Sequence, residues 1–287
     1  MIYLLHIATL SGIYGIAALG LNYASGFTGL VSLNHGAFMG IGAYSSAYLM
    51  MQMGMPFWQA FLLGGLITSL VAWLMSFPLL KLHGDAFVLA SFGFSFIAYS
   101  IFLNWTEVTN GALGMKGIPG PIVPEWGMES WWFLGLVVLV LGGCLLALQR
   151  ILASSYGVVI RATRENEKVT QIAGHSTQSY RRSVFVLSAF VTGLAGVLLG
   201  SYISAIDPQL FNYHLSVLIL VMVILGGLAS LKGSVIGAVL LIIVPELMRL
   251  VGFPNSIIAE SRQIVYGLVM IGLMYSRPEG LFGQYRL

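Results

Sequence analysis

The sequence predicts an all-α membrane protein, a polytopic bundle of about eight to ten transmembrane helices in which some segments are broken or re-entrant. Three observations predict it. Only 8% of the 287 residues are charged and 58% are hydrophobic, for a mean hydropathy of +0.91, where soluble domains carry about 25% charged residues. Uncharged apolar runs of about 20 residues recur along the chain, each long enough to cross a bilayer as a helix. Glycine reaches 35 residues, a content that lets membrane helices pack backbone to backbone and marks places where they break.

Taken in order, the apolar runs place spans at 2–23, 33–53, 57–79, 86–103, 131–149, 183–204, 215–229, 234–252 and 262–276, within one transmembrane domain covering 1–287. Met1 to Leu21 contains no Lys or Arg, and the first basic residue is Lys81. A charged leader followed by a cleavage site is not what this pattern describes, so the first run is expected to stay as a helix. Two runs depart from a simple span. Ser25 to Gly36 is polar and glycine-rich for membrane depth, and 215–229 is short; either is expected to be a half-helix or re-entrant segment lining a cavity, where irregular backbone is tolerated in a membrane. Three G-x-x-x-G spacings, Gly36/Gly40, Gly196/Gly200 and Gly233/Gly237, mark expected faces of close helix contact.

The cations orient the bundle. With 150–182 inside and the amino terminus outside, the inner segments hold Lys81, Arg150, Arg161, Arg164, Lys168, Arg181, Arg182, Lys232, Arg277 and Arg286, ten of thirteen, as the positive-inside rule requires. Lys116, Arg249 and Arg262 remain outside. The carboxy terminus then lies inside as well. The outer segment 104–130, with Pro119, Pro121 and Pro124, reads as an ordered loop. The inner segment 150–182 reads as one or two short amphipathic helices broken at Gly174. Taken alone, its basic character fits a lipid anchor equally well.

No catalytic constellation is present, and no nucleic-acid patch. The motifs H-E-x-x-H and G-x-S-x-G do not occur, and His6, His35, His83, His175 and His214 lack the spacing of metal ligands. Cys144, the single cysteine, allows neither an intrachain disulfide nor a thiolate cluster. In Lys232-Gly233-Ser234 the order of a phosphate loop is inverted. The chain is therefore expected to have no ATPase, metal site or cofactor of its own. Uphill transport would draw on an ion gradient or on a separate ATPase. For ion coupling the candidates are Glu246 and Arg249, one turn apart, whose alternative is an intrahelical ion pair.

The inner loop with the helix after it, SSYGVVIRATRENEKVTQIAGHSTQSYRRSVFVLSAFVTGLAGVLLG, resembles the inner-loop signature of permease subunits of branched-chain amino acid ABC importers. Ser154, Gly157, Arg161, Arg164, Glu165, Asn166, Glu167, Gly174, Tyr180, Arg181, Ser188, Ala189, Gly193, Leu194, Ala195 and Gly196 fall on it. GLNYASGFTGLVSLNHGAFMGIGAY is similar to the family's opening, and HGDAFVLASFGF with NWTEVTNGALGMKGIPGP to the middle of the LivM-type subunit rather than its LivH-type partner. LGGLASLKGSVIGAVLLIIVPELMR and SRPEGLFG resemble its end. His83 stands where Arg is usual and Phe96 where an acidic residue can follow, both expected in a helix bordering the pathway. Those departures leave urea or short amides open beside amino acids.

The resemblance implies a bacterial inner-membrane subunit without ATPase activity. It implies work with two ABC ATPases that bind the ATP, a second LivH-like permease and an external solute-binding protein, the last contacting 104–130 and Asp207. The segment 161–174, with Arg161, Arg164, Glu165, Asn166, Glu167 and Gly174, would dock on the ATPases as a coupling helix. For the translocation pathway the candidates are Asn22, Thr28, Asn34, His35 and Ser91. Asn34 and His35 would either bond the free backbone of a broken helix or touch solute. Asp85 is expected to cap the helix that follows it.

Overall fold

The computed structural model describes residues 2–121, 129–250, 264–268, 270–272, 275, 277 and 279–283, for 129, 130 and 246–250 the backbone alone. Helices account for most of it. They are α1 (Ile2–Thr28), α2 (His35–Met51), α3 (Phe57–Leu79), α4 (Asp85–Asn104), α5 (Thr106–Thr109), α6 (Glu129–Ala153), α7 (Ser155–Glu165), α8 (Glu167–Ile172), α9 (Thr177–Ile203), α10 (Tyr213–Gly226) and α11 (Leu231–Leu250). One two-residue ribbon, β1 (Met115–Lys116) antiparallel to β2 (Ala205–Ile206), ties the loop after α4 to the end of α9.

The all-α membrane class is observed; the span count is smaller than the nine apolar runs. Among the described residues, five helices are long and apolar enough to cross a membrane, six if α10 and α11 form one bent span. The shortfall has three sources. At 17 residues, α2 reaches only about 26 Å, short of the roughly 30 Å hydrocarbon core. The segment 215–229, read as a half-helix or re-entrant element, is α10 with the turn after it, and α11 leaves at 119°. Most of the run 262–276 lies outside the described residues.

The centre of the bundle is α9, packed on α1, α2 and α3. Small residues make this possible, because a membrane offers little hydrophobic drive between helices and close approach must supply the attraction. A Cβ on Gly196 would stand 1.9 Å from Met39 O, and one on Gly42 would stand 2.2 Å from Gly193 O. The other glycine pairs behave alike: Gly233 and Gly237 face Gly226 O at 2.3 Å and Met222 O at 2.1 Å, and Gly36 faces Ser216. Gly200 is the exception, with its nearest neighbour at 3.5 Å. By contrast α6 exposes Trp131, Trp132, Val138, Leu139 and Leu146, an apolar outer face suited to lipid.

Two local expectations are corrected. Asp85 is not the cap of α4: Gly84, at φ 58°, holds that position, and Asp85 is the first helical residue, where a carboxylate still opposes the helix dipole. His83 lies in the turn before α4 rather than in a helix. The cations gather at one end of the bundle, where α7, α8, the α3–α4 turn and the start of α9 meet. The ribbon and α5 occupy the other.

Candidate functional site

Irregular backbone inside a membrane bundle must have its polar groups satisfied, so the two helix junctions are the places to seek function. The first joins α1 to α2 through residues 29–34. Gly29 at φ 70° starts the turn. Leu33 is held by α4: its N–H donates to Ser91 Oγ at 2.9 Å, and Ser95 Oγ donates to its carbonyl at 2.6 Å. His35, fully buried, is paired through Nδ1 with Ser32 Oγ at 3.1 Å and through Nε2 with Ser188 Oγ of α9 at 2.8 Å. Gly36 N–H donates to Ser216 Oγ of α10 at 3.0 Å. Four segments thus converge through hydroxyls. Asn34, between Leu33 and His35, is fully buried, and neither atom of its amide has a hydrogen-bond partner among the described residues.

The second junction, 227–230, joins α10 to α11 and is organised by Asn22 of α1. Its Nδ2 lies 3.1 Å from Gly227 O, 2.9 Å from Ser230 O and 2.5 Å from Ser234 Oγ, and its Oδ1 accepts from Ala229 N–H at 3.0 Å. One side chain therefore serves a turn whose Gly227 and Ala229 take φ of 106° and 61°. The far side is closed by the segment after the last apolar run: Leu281 N–H donates to Leu225 O at 3.1 Å and Phe282 N–H to Gly226 O at 3.0 Å. These are carbonyls that the end of α10 would otherwise leave without donors.

The five pathway candidates are thus not one constellation. Asn34, His35 and Ser91 belong to the first junction and Asn22 to the second; Thr28 ends α1, its hydroxyl donating to Ala24 O at 2.6 Å. Asn22 bonds backbone and the Ser234 hydroxyl, Ser91 bonds backbone, His35 bonds hydroxyls, and the Asn34 amide bonds neither among the described residues. Sequence reading missed Ser95 and Ser216 and named Ser188 only as part of the inner-loop signature; the available signal was hydroxyl residues inside apolar helices. Phe96 lies on an open, mostly apolar groove of about 650 Å³ along the outer side of α4, lined also by Ile97, Ser100, Ile101, Asn104 and Trp105; none of the five pathway candidates lines it. A second cavity of about 470 Å³ lies among Gln52, Glu107, Asn110 and Lys116 at the ribbon end. The side chains of Glu246 and Arg249 fall outside the described residues.

At the cation-rich end, 161–174 is not a single helix. Asn166, in extended conformation, breaks it and caps α8 by accepting from Val169 N–H at 3.1 Å, and Gly174, at φ 88°, turns the chain after it. In the first turn of α7, Gly157 packs so tightly that a Cβ would meet Leu152 O at 2.2 Å, and Arg161 Nη1 donates to that carbonyl at 3.2 Å. Glu167 anchors the pair of helices. It accepts from Thr177 Oγ1 at 3.0 Å and from Arg181 Nη1 at 3.1 Å, with His83 Nε2 at 3.9 Å. Arg182 stacks on the Phe77 ring, 4.2 Å from its centroid. Burial holds the Tyr156 phenol above its ordinary pKa, while its hydrogen bond with Ser183 pulls the other way. Glu165, Asn166, Lys168, Val169 and Ile172 are left exposed. Arg164 reaches the first junction: its Cγ is the nearest atom to a Cβ built on Gly29, at 3.7 Å. No group of three or more His, Cys, Asp or Glu among the described residues could hold a metal ion.

Comparison with known proteins is extensive. The family model described as branched-chain amino acid transport system / permease component matches residues 3–274. The high-affinity branched-chain amino acid transport system permease protein LivM of Escherichia coli K12 is 32% identical over 304 aligned residues, covering 98% of this chain and 70% of that protein. LivM of Salmonella typhimurium is 33% identical over 306, with the same coverage. The permease protein LivH of Escherichia coli K12 is 24% identical over 294, covering 96% of this chain and 93% of its own length. No solved structure matches.

Proposed function

Because the chain belongs to the family of branched-chain amino acid transport system permease components, we propose that it is the transmembrane subunit of an ATP-binding cassette importer that moves branched-chain or other small amino acids inward. Its partners are two ATPase subunits that bind the ATP, a second, LivH-like permease and an external solute-binding protein. It sits in the bacterial inner membrane with its amino terminus outside and the 150–182 segment and carboxy terminus in the cytoplasm. Ten of thirteen cations in the segments so placed support that orientation.

The observation that carries the reading is the exposed pair α7 and α8, mixed in charge and in reach of the first helix junction. Glu165, Lys168, Val169 and Ile172 offer a polar rim with apolar contacts, which suits an interface that forms and shifts. Arg164, against Gly29, gives that interface a route to the first junction. ATP-driven closure of the ATPases then biases a two-state bundle, opening it outward to accept solute from the binding protein.

A mild-detergent pull-down of the tagged chain, followed by uptake in vesicles, tests this. Co-recovery of a nucleotide-binding ATPase and a second permease, with leucine uptake that stops when ATP is withheld, is the expected result. Uptake that survives deletion of the ATPases and collapses with an uncoupler would replace it with an ion-coupled carrier. Uptake of urea or acetamide in place of leucine would move the substrate class to short amides.

A further inference from the structure

We propose that the amide of Asn34, at the amino end of α2, is the polar contact for solute inside the bundle, and that it takes the paired ammonium and carboxylate of an α-amino acid. The proposal rests on the import reading above and assigns the site that reading needs. It starts from a contrast within one cluster. Ser32, Ser91, Ser95, Ser188, Ser216 and His35 surround the first junction, each buried and each hydrogen-bonded. Asn34 is equally buried, yet its Nδ2 and Oδ1 have no partner among the described residues. It occupies the cap position of α2 without making a capping bond.

A buried amide with both ends unused is costly; the hydroxyls of Ser11, Tyr23, Tyr44 and Ser201 are also buried without a hydrogen-bond partner among the described residues, but only Asn34 leaves a donor and an acceptor group unused together. In the neighbouring junction a buried asparagine of the same kind, Asn22, uses both ends of its amide on backbone and Ser234. Asn34 therefore holds its hydrogen-bonding capacity for something other than the fold. An amide offers one acceptor and two donors. The ammonium and carboxylate carried on one carbon of an amino acid are its complement: the ammonium donates to Oδ1, and a carboxylate oxygen accepts from Nδ2. A neutral amide such as acetamide could meet the same two atoms. The amino end of α2, a helix of 17 residues, is the positive end of its dipole and tips the choice towards a carboxylate. The junction is also placed to move, since its first residue, Gly29, lies against Arg164 of α7.

The test uses proteoliposomes holding the complete importer, supplied with labelled L-leucine on the binding protein, with leucine moved and ATP hydrolysed measured in the same vesicles. Asn34→Leu keeps the side-chain volume and removes both polar atoms. It is expected to leave ATP hydrolysis within about twofold of the unsubstituted importer and to lower leucine moved per ATP by about tenfold or more. Asn34→Ser, which retains one hydroxyl, is expected to give an intermediate ratio and supplies the reading should Asn34→Leu not assemble. An unchanged leucine-per-ATP ratio means that the amide holds only a buried water, and overturns the proposal. So does a parallel loss of hydrolysis and uptake, which marks a role in the fold. Unsubstituted vesicles that take up acetamide but no leucine overturn the import of amino acids itself, and this site with it.

Discussion

The two helix junctions use the same device, irregular backbone inside a membrane bundle, and finish it differently. At 227–230 every arm of Asn22 is engaged, and the carbonyls at the end of α10 receive Leu281 and Phe282. At 29–34 the backbone is pinned from the side by Ser91 and Ser95, and the one amide at its centre is left over. A buried asparagine in a transporter is therefore not informative by type. What its two amide atoms touch separates a structural bracket from a candidate for solute contact.

That contrast can be broken most severely at Asn22. Asn22→Leu strands the Gly227 carbonyl and the Ala229 N–H, at about 1–3 kcal/mol for each buried group left without a partner, and takes from Ser230 O one of its donors, the others being Ser234 N–H and Oγ. The expected outcome is loss of the folded chain, read as disappearance of the monodisperse peak in detergent chromatography, whereas Asn34→Leu folds. Next comes a paired glycine comparison. Gly227→Ala adds a Cβ 2.2 Å from Gly283 N at a φ of 106°, while Gly29→Ala, at φ 70°, meets nothing nearer than 3.7 Å. The first should lower the thermal midpoint strongly; the second carries only the left-handed backbone cost of about 1–2 kcal/mol. Equal shifts would show that the junctions are equally packed.

Ser95→Ala is a milder probe of the first junction. It removes one donor from Leu33 O and should cost about 1 kcal/mol, seen as a small drop in midpoint with uptake retained. Smallest in stability, though not in function, is charge reversal at the cation-rich end. Arg164→Glu or Glu165→Arg should leave membrane insertion intact and impair assembly with the ATPases or ATP-coupled uptake. Normal uptake and ATPase stimulation in both would make 150–182 a lipid anchor alone.

The apolar runs located the long helices closely, because α3 and α4 needed only length and hydropathy: 57–79 and 86–103 against Phe57–Leu79 and Asp85–Asn104. Composition also flagged both junctions, through the glycines and polar residues of 25–36 and the shortness of 215–229. It could not say which polar side chain closes which turn. Asn22 meets Ser230 and Ser234 across more than two hundred residues of chain, and His35 meets Ser188 across 153. Such pairings have no local period. The inner loop was legible as short helices broken at Gly174, but the break at Asn166 depends on a capping bond that a reading of charge pattern passes over. The residues first named for a pathway shared one property, polarity at membrane depth, and that property alone does not distinguish holding the backbone from facing a solute.

The bonds from Leu281 and Phe282 to Leu225 and Gly226 also bear on biosynthesis. During translation α10 and α11 enter the bilayer well before their last donors exist, so the carbonyls at the end of α10 must wait through the making of α11 and everything that follows it. The bundle is finished from its carboxy-terminal side: a chain ending before Leu281 still has Asn22 to bracket the α10–α11 turn, but the Leu225 and Gly226 carbonyls lack their donors.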